Sequence, residues 1–427
     1  PYKETAVGNR VFNLIAMLML VSNTAQARID STDRALMLVT NTTQARIDPT
    51  DRAVMLSGNA SQARVDPTDR ALALSEDLPA GALKQRLQSC ADGAFSATEF
   101  SIAHRGAPLG YPEHSREGYI AAAKMGAGVI ECDVTFTQDL ELVCRHSQCD
   151  LASSTNILQT PLANTCREPF TPAKFGRPAS AQCCTSDITL AQFKTLCARP
   201  DVANPQARTV AEYLAPLNSP VVETPNECGT VMSHRDSIEL IRKLGTKFVP
   251  ELKRPEVPMP FRGFNQQDYA DKMLAEYRQL EVRADQVNPQ SFNIDDVKHW
   301  IENHPDYADQ AIWLVPRERQ LIPPSLAELK KLQAAGLQII APPIPMLVTQ
   351  TSNGQVTATD FARSVKVSGL KIITWTFESA RATAAIYGER PGMMLETLDL
   401  LAQDIGVSGV FSDWPGTVTY YANCLGN

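Results

Sequence analysis

No cysteine precedes Cys90 in this chain of 427 residues. No cluster of lysine and arginine forms a long basic run, and no apolar run reaches the length of a bilayer-spanning helix. Each absence excludes something. A net charge of −7 without a basic run argues against a nucleic-acid partner. The apolar stretch from Val11 to Val21 is too short to cross a bilayer as a helix, so no transmembrane span is expected. Beyond the cysteine-free leader the balance reverses, with ten cysteines from Cys90 to Cys424. That even, high count, together with Asn-x-Ser/Thr sequons at Asn41 and Asn59, points to an oxidising, extracytoplasmic setting: secreted, periplasmic or cell-surface. The neighbours Cys183 and Cys184 should pair with different partners, and Cys132 is the best candidate for a buried free thiol.

Residues 1–79 carry a repeat. The segment Gln26-Ala27-Arg28-Ile29-Asp30-Ser31-Thr32-Asp33-Arg34-Ala35-Leu36-Met37-Leu38 recurs from Gln44 and again from Gln62, a period of 18 residues. A period near twenty is an array signature. Taken alone, Val11–Val21 and the Ala25-Gln26-Ala27 after it resemble a signal peptide. Slid by one period, the same run aligns with Leu36-Met37-Leu38-Val39, which favours a divergent first copy. Alternation around Ala-Arg-Ile and the turn chemistry of Asp-Pro-Thr-Asp favour an extended arm, although five helical turns would also hold 18 residues in register. No copy can bury its apolar run alone, so the copies are expected to stack on each other or on other subunits, making the arm a candidate for homo-polymerisation.

Residues 80–99 read as a linker with a short amphipathic helix from Ala82 to Ser89. From residue 100 to the end, apolar or β-branched runs alternate with helical patterns. Strand candidates are 100–106, 129–136, 247–253, 286–292, 310–315, 337–341, 370–376 and 406–412. Helical patterns include Ser115–Met125, Tyr269–Leu280, Ile294–Asn303, Ser325–Ala335 and Pro391–Gln403. Eight strands separated by helices imply an α/β fold, a (β/α)8 TIM barrel. A closed barrel brings its first and last elements together, so a Cys90–Cys424 disulfide is expected. The rhythm breaks once, at about 147–246, a cysteine-, proline- and asparagine-rich segment read as a stapled insertion over the barrel mouth.

Chemistry-bearing residues gather at the ends of the early strands. Side chains alternate along a strand, so in Ile130-Glu131-Cys132-Asp133 the two acids share a face and Cys132 opposes them. Two carboxylates converging beside His104 and Arg105 require a cation. Glu131, Asp133 and Glu251 are hard oxygen donors suited to Ca²⁺ or Mg²⁺.

The motifs Ile102-Ala103-His104-Arg105-Gly106-Ala107, Pro112-Glu113-His114-Ser115, Phe248-Val249-Pro250-Glu251-Leu252-Lys253, Gln290-Ser291-Phe292, Ile373-Thr374-Trp375-Thr376 and Gly409-Val410-Phe411-Ser412-Asp413-Trp414-Pro415 stand in the order of the glycerophosphodiester phosphodiesterase family, which this chain resembles from about residue 100 to 420. The resemblance implies metal-dependent hydrolysis of small glycerophosphodiesters to glycerol 3-phosphate and an alcohol. It places a divalent metal on Glu131, Asp133 and Glu251, and an acid/base pair on His104 and His146. It also implies a route in which a substrate hydroxyl attacks to form a cyclic phosphate before water does. Arg105 and Lys253 are then available for phosphate, His114 for substrate contact or equally for helix capping or support beside the site, and Phe292 and Trp375 for the glycerol moiety. Ser147 departs from the acid the family often has after that histidine. Asp413 is read equally as a loop-orienting residue and as a ligand contact, and His234, His299 and His304 as structural. Two other readings are a filament-forming or surface protein with a vestigial barrel and, less favoured, a barrel lipase acting on sphingomyelin or lysophospholipid.

Overall fold

The computed structural model describes residues 68–215, 228–379, 382–388 and 390–426. The copies from Gln26 and Gln44, the first six residues of the copy from Gln62, the Val11–Val21 run and both sequons lie outside the described residues, as does any test of assembly through them.

Every one of the eight strand candidates overlaps a strand. These are β1 Thr98–Ala103, β2 Ala127–Phe136, β3 Lys247–Leu252, β4 Gln290–Ser291, β5 Ile312–Leu314, β6 Ile339–Ala341, β7 Lys371–Thr374 and β8 Gly409–Ser412. They pair in parallel in chain order, and β8 closes on β1. The result is a closed (β/α)8 barrel. Strand alternation divides its core in two. Ile102, Val129, Val249, Ile312, Leu314, Ile339, Ile373 and Phe411 fill the lumen. Their neighbours Ala103, Ile130, Phe248, Ile340, Ile372 and Val410 face the surrounding helices.

Residues after the strands inherit this parity. His104 follows Ile102 by two positions, Glu131 and Asp133 follow Val129 by two and four, and Glu251 follows Val249 by two. All four therefore point inward above the lumen floor. The register sets Glu131 opposite Val249, and Asp133 opposite Glu251, which in turn lies opposite Gln290.

The helices start and stop where their ends can be satisfied. In α1 to α4 (Thr68–Glu76, Ala82–Ser89, Arg116–Lys124 and His234–Leu244), the last shows this most fully. Ser233 and Asp236 form a reciprocal capping box, and Gly245 at φ 75° ends the helix in the left-handed region. Ile238, Leu240 and Ile241 of α4 pack in the main core. The insertion therefore ends before α4 rather than near 246. Its own core is a separate cluster that includes Leu151, Ile157, Phe193 and Tyr213.

Extended structure is not what the end of the third repeat adopts. Thr68–Glu76 is the helix α1, with Ala71 and Leu74 buried in the barrel's main core. The alternation read from Ala-Arg-Ile lies upstream of Thr68, whereas the run Ala71-Leu72-Ala73-Leu74 has a face to bury and a barrel wall to bury it on. Tertiary packing decides the conformation here.

All ten cysteines are paired. The bridges are Cys90–Cys424, Cys132–Cys144, Cys149–Cys184, Cys166–Cys183 and Cys197–Cys228. The first is the expected link between the two ends of the barrel. Cys183 and Cys184 take different partners, also as expected. Cys132 is not free: it opposes the acids on β2, and the antiparallel strand Leu142–Cys144 beside β2 brings Cys144 to it.

Candidate active site

A cavity of about 230 Å³ opens at the C-terminal end of the barrel. It is lined by His104, Arg105, Glu131, His146, Glu251, Lys253, Phe292, Leu314, Arg317, Trp375, Thr376 and Phe411. Nine of the ten expected site residues converge here, eight of them on its surface with Asp133 buried directly beneath. His114 is the exception. It is fully buried, with Nε2 at 2.9 Å from Asp133 Oδ2 and Nδ1 at 3.0 Å from the Tyr119 hydroxyl. It braces Asp133 from behind instead of touching the cavity. His234 is buried against Glu276 and away from the cavity, while His299 and His304 both meet Asp271 on the outer helices.

Glu131, Asp133 and Glu251 each present a carboxylate oxygen within 4.8 Å of the others. Three buried acids this close repel one another. Burial, then Asp133 and Glu251, push the Glu131 carboxyl well above the usual range. Burial, offset by Lys253, pushes Glu251 up to about 7. Burial acts on Asp133 in the same direction, but Lys253, His114 and Arg105 outweigh it and hold that carboxyl well below the usual range. Asp133 Oδ1 is buried without a hydrogen bond. A buried anionic oxygen with no donor is costly. The donor set fits a hard divalent cation.

The surrounding groups fix the trio. Glu131 accepts from the Gln290 amide at 2.8 Å and from the Arg105 backbone N–H at 2.9 Å. The second contact helps hold Arg105 at φ 58°, a conformation that costs a non-glycine residue energy. The Arg105 guanidinium donates to Glu113 at 2.9 Å and lies 3.6 Å from Asp133. Lys253 Nζ sits 2.7 Å from Glu251 and 4.0 Å from Asp133. Glu113 also accepts from buried Arg145, so the loop after β1 and the strand before His146 are tied together through one carboxylate.

The two histidines differ in their surroundings. Burial, with Arg105 and Lys253 nearby, drives the His146 imidazole down to about 2. His104 Nδ1 lies 2.5 Å from Asp413 Oδ1, and its Nε2 lies 4.0 Å from Glu131. Asp413 thus proves to be an orienting residue for a histidine. Gln290, Glu113 and Glu378 complete the set that motif reading did not assign. Gln290 could have been found from its inward parity beside Glu251, whereas Glu378 belongs to a loop with no periodic signal.

Glu378 accepts from the Ser412 hydroxyl at 2.9 Å and from the Asp413 backbone N–H at 2.8 Å, holding the turn that carries Asp413. Burial, then the neighbouring Asp413, raises its carboxyl to about 8 from an ordinary 4.5. Such a group takes up a proton on folding between those values, so stability falls as pH rises through that window. Glu378→Gln is expected to remove this fall. In urea denaturation from pH 5.5 to 7.5, the wild type should lose up to about 1.4 kcal/mol per pH unit relative to the variant. Parallel stability curves would show that Glu378 titrates normally.

A model described as the glycerophosphoryl diester phosphodiesterase family matches residues 104–417. The chain belongs to that family. It is accordingly an enzyme of the glycerophosphodiester phosphodiesterase class, a phosphoric diester hydrolase. A protein of Arthroderma benhamiae, described as an extracellular protein, is 36% identical over 247 residues, which cover 53% of this chain and 99% of its own. A Mycobacterium tuberculosis protein named "Probable glycerophosphodiester phosphodiesterase 1" is 45% identical over 58 residues, 14% of this chain and 21% of its own. A crystal structure from Silicibacter pomeroyi, named for the same family, matches with a TM-score of 0.53 at 18% identity over 78% of this chain and 95% of that one. This last likeness is one of fold.

Proposed function

We propose that this glycerophosphodiester phosphodiesterase is an extracytoplasmic, divalent-metal-dependent enzyme that releases glycerol 3-phosphate and an alcohol. The observation that carries the reading is the meeting of three carboxylates, one of them with an orphaned buried oxygen, with two fixed cations and two histidines around one cavity. Glu131, Asp133 and Glu251 would hold the ion, Ca²⁺ or Mg²⁺. When bound, it neutralises charge developing on the phosphoryl oxygens.

The chain's own groups supply the rest. Arg105 and Lys253 bind the remaining phosphate oxygens, the first as a fork and the second as a point charge. His146, whose imidazole burial and then Arg105 and Lys253 push down, accepts the proton of the attacking substrate hydroxyl. His104, backed by Asp413, gives a proton to the leaving oxygen. Water then opens the cyclic phosphate so formed, His104 taking the water's proton and His146 returning one to the glycerol oxygen as its bond to phosphorus breaks. Phe292 and Trp375 meet edge to face at 5.4 Å and offer an apolar corner to the glycerol carbons. Five disulfides and an extracellular relative support placement outside the cytoplasm. No helix among the described residues is long and apolar enough to cross a membrane. The repeated leader is proposed as a self-assembly segment, on the strength of its 18-residue period.

Incubating the full chain with glycerophosphocholine in Ca²⁺ or Mg²⁺ should yield glycerol 3-phosphate and choline, with turnover lost in chelator. Release of phosphocholine, or turnover indifferent to chelator, would contradict the proposal.

A further inference from the structure

Three large apolar side chains stand in water on loops that rise from the C-terminal rim of the barrel. Phe175 is fully exposed, and Leu321 and Ile322 are 90% and 75% exposed. A single exposed leucine needs no explanation. A phenylalanine held out at the tip of a braced hairpin does.

That hairpin belongs to the insertion. Its strands, Glu168–Thr171 and Ser180–Gln182, pair antiparallel, and the Cys166–Cys183 bridge closes its base. Arg167 at the base donates to the Glu256 carbonyl at 3.1 Å, and Glu256 shares a cavity wall with His146 and Lys253. The hairpin is therefore rooted at the barrel mouth. Further out, the Ala173 and Ala179 N–H groups donate to the Ala207 and Pro205 carbonyls, both at 2.8 Å, and Phe170 meets the Tyr213 ring at 5.4 Å. Beyond these anchors only residues 174–178 project, all exposed. Lys174 and Arg177 join backbone to backbone across a two-residue turn, where Gly176 at φ 71° lets the chain reverse. A rigid frame thus presents Phe175 between two cations, and no acid occurs from Pro169 to Gln182. Leu321 and Ile322 follow the 3-10 turn Arg317–Gln320 beyond β5. Their loop is braced too, with Arg319 donating to both Glu328 oxygens at 2.8 Å.

This arrangement selects its partner. A stable protein interface needs a continuous patch of about 800 Å² on each side, which separated loop tips do not supply. A bilayer accepts isolated apolar points, with basic groups alongside at the level of the headgroups. Each cation near an anionic lipid surface adds about fivefold in affinity.

We propose that the tip Lys174-Phe175-Gly176-Arg177, with Leu321 and Ile322 as a second point of contact, docks the barrel mouth on a bilayer containing anionic phospholipid. Phe175 enters the boundary between headgroups and acyl chains, and Lys174 and Arg177 meet lipid phosphates. The proposal does not depend on the reaction assigned to the cavity.

Co-sedimentation of the full chain with vesicles tests it, using phosphatidylcholine alone and phosphatidylcholine mixed equally with phosphatidylglycerol. The wild type should bind the mixed vesicles, more weakly as salt rises, and bind phosphatidylcholine alone poorly. Phe175→Ser should cut the partition coefficient by about tenfold, as expected for losing a buried aromatic ring, and Leu321→Ser with Ile322→Ser should also lower it. Lys174→Gln with Arg177→Gln should cost about twentyfold and remove most of the salt dependence. None of these side chains lines the active-site cavity, so thermal melts and turnover of soluble glycerophosphocholine should match the wild type. In Phe175→Trp, added fluorescence over the wild type should be quenched by lipids brominated in the acyl chains. Failure of the wild type to bind mixed vesicles would overturn the proposal, as would binding that survives both the Phe175→Ser and the double charge substitution. If vesicles are ignored but the chain forms oligomers that Phe175→Ser dissolves, the tip is an interface between copies and the lipid assignment fails.

Discussion

His146→Ala is expected to lower kcat/KM for glycerophosphodiesters by about a hundredfold to ten-thousandfold, the usual span for one proton-transferring group. His104→Ala should cost a similar factor. The histidines are not interchangeable. Burial, then Arg105 and Lys253, pushes the His146 imidazole towards its neutral form, the form in which a base acts. His104 is aimed by Asp413, which takes its Nδ1 and leaves Nε2 towards the cavity. Asp413→Asn can present an amide donor to Nδ1 and favour the wrong tautomer, so it should lower kcat more than it raises KM. Neither histidine packs in the lumen core, so melting temperatures should stay near the wild-type value. Steady-state kinetics with parallel thermal melts checks this. Variants that melt normally and keep activity within a few-fold would remove both histidines from the chemistry.

The barrel was legible because its strands alternate with helices at regular intervals and each strand carries its own apolar run. The acid trio was legible for a related reason. In Glu131-Cys132-Asp133 a period of two puts both acids inward and the cysteine outward, and the third acid lies on the next barrel strand. For His114 the motif left substrate contact and support beside the site equally open, because it sits next to the site in sequence. At φ 52° its backbone turns the ring down behind Asp133, and no linear pattern reports that. Cys132 was misjudged because its partner strand is only three residues long, Leu142–Cys144. Helix α1 was hidden by a repeat whose alternation lies upstream of it. Arg317 and Glu378 reach the site from loops after β5 and β7, where sequence spacing carries no information about distance across the barrel mouth.

The second large effect concerns the carboxylates. Glu131→Gln and Glu251→Gln each remove a hard anionic donor and keep the shape, so each should abolish measurable hydrolysis. Loss of fold would not explain this. Burial and mutual repulsion already push Glu131 and Glu251 upward, so neutralising one of them should leave the ion-free protein as stable as wild type or more so. That separates a lost ligand from a lost structure, because the same variants should no longer gain stability when Ca²⁺ or Mg²⁺ is added.

Calorimetric titration of the chelator-treated full chain with the divalent ion puts the claim to its most direct test. One ion per chain should bind to the wild type, and none to Glu131→Gln or Glu251→Gln at the same concentrations. Binding of equal strength and stoichiometry in all three proteins would show that these acids do not hold the ion.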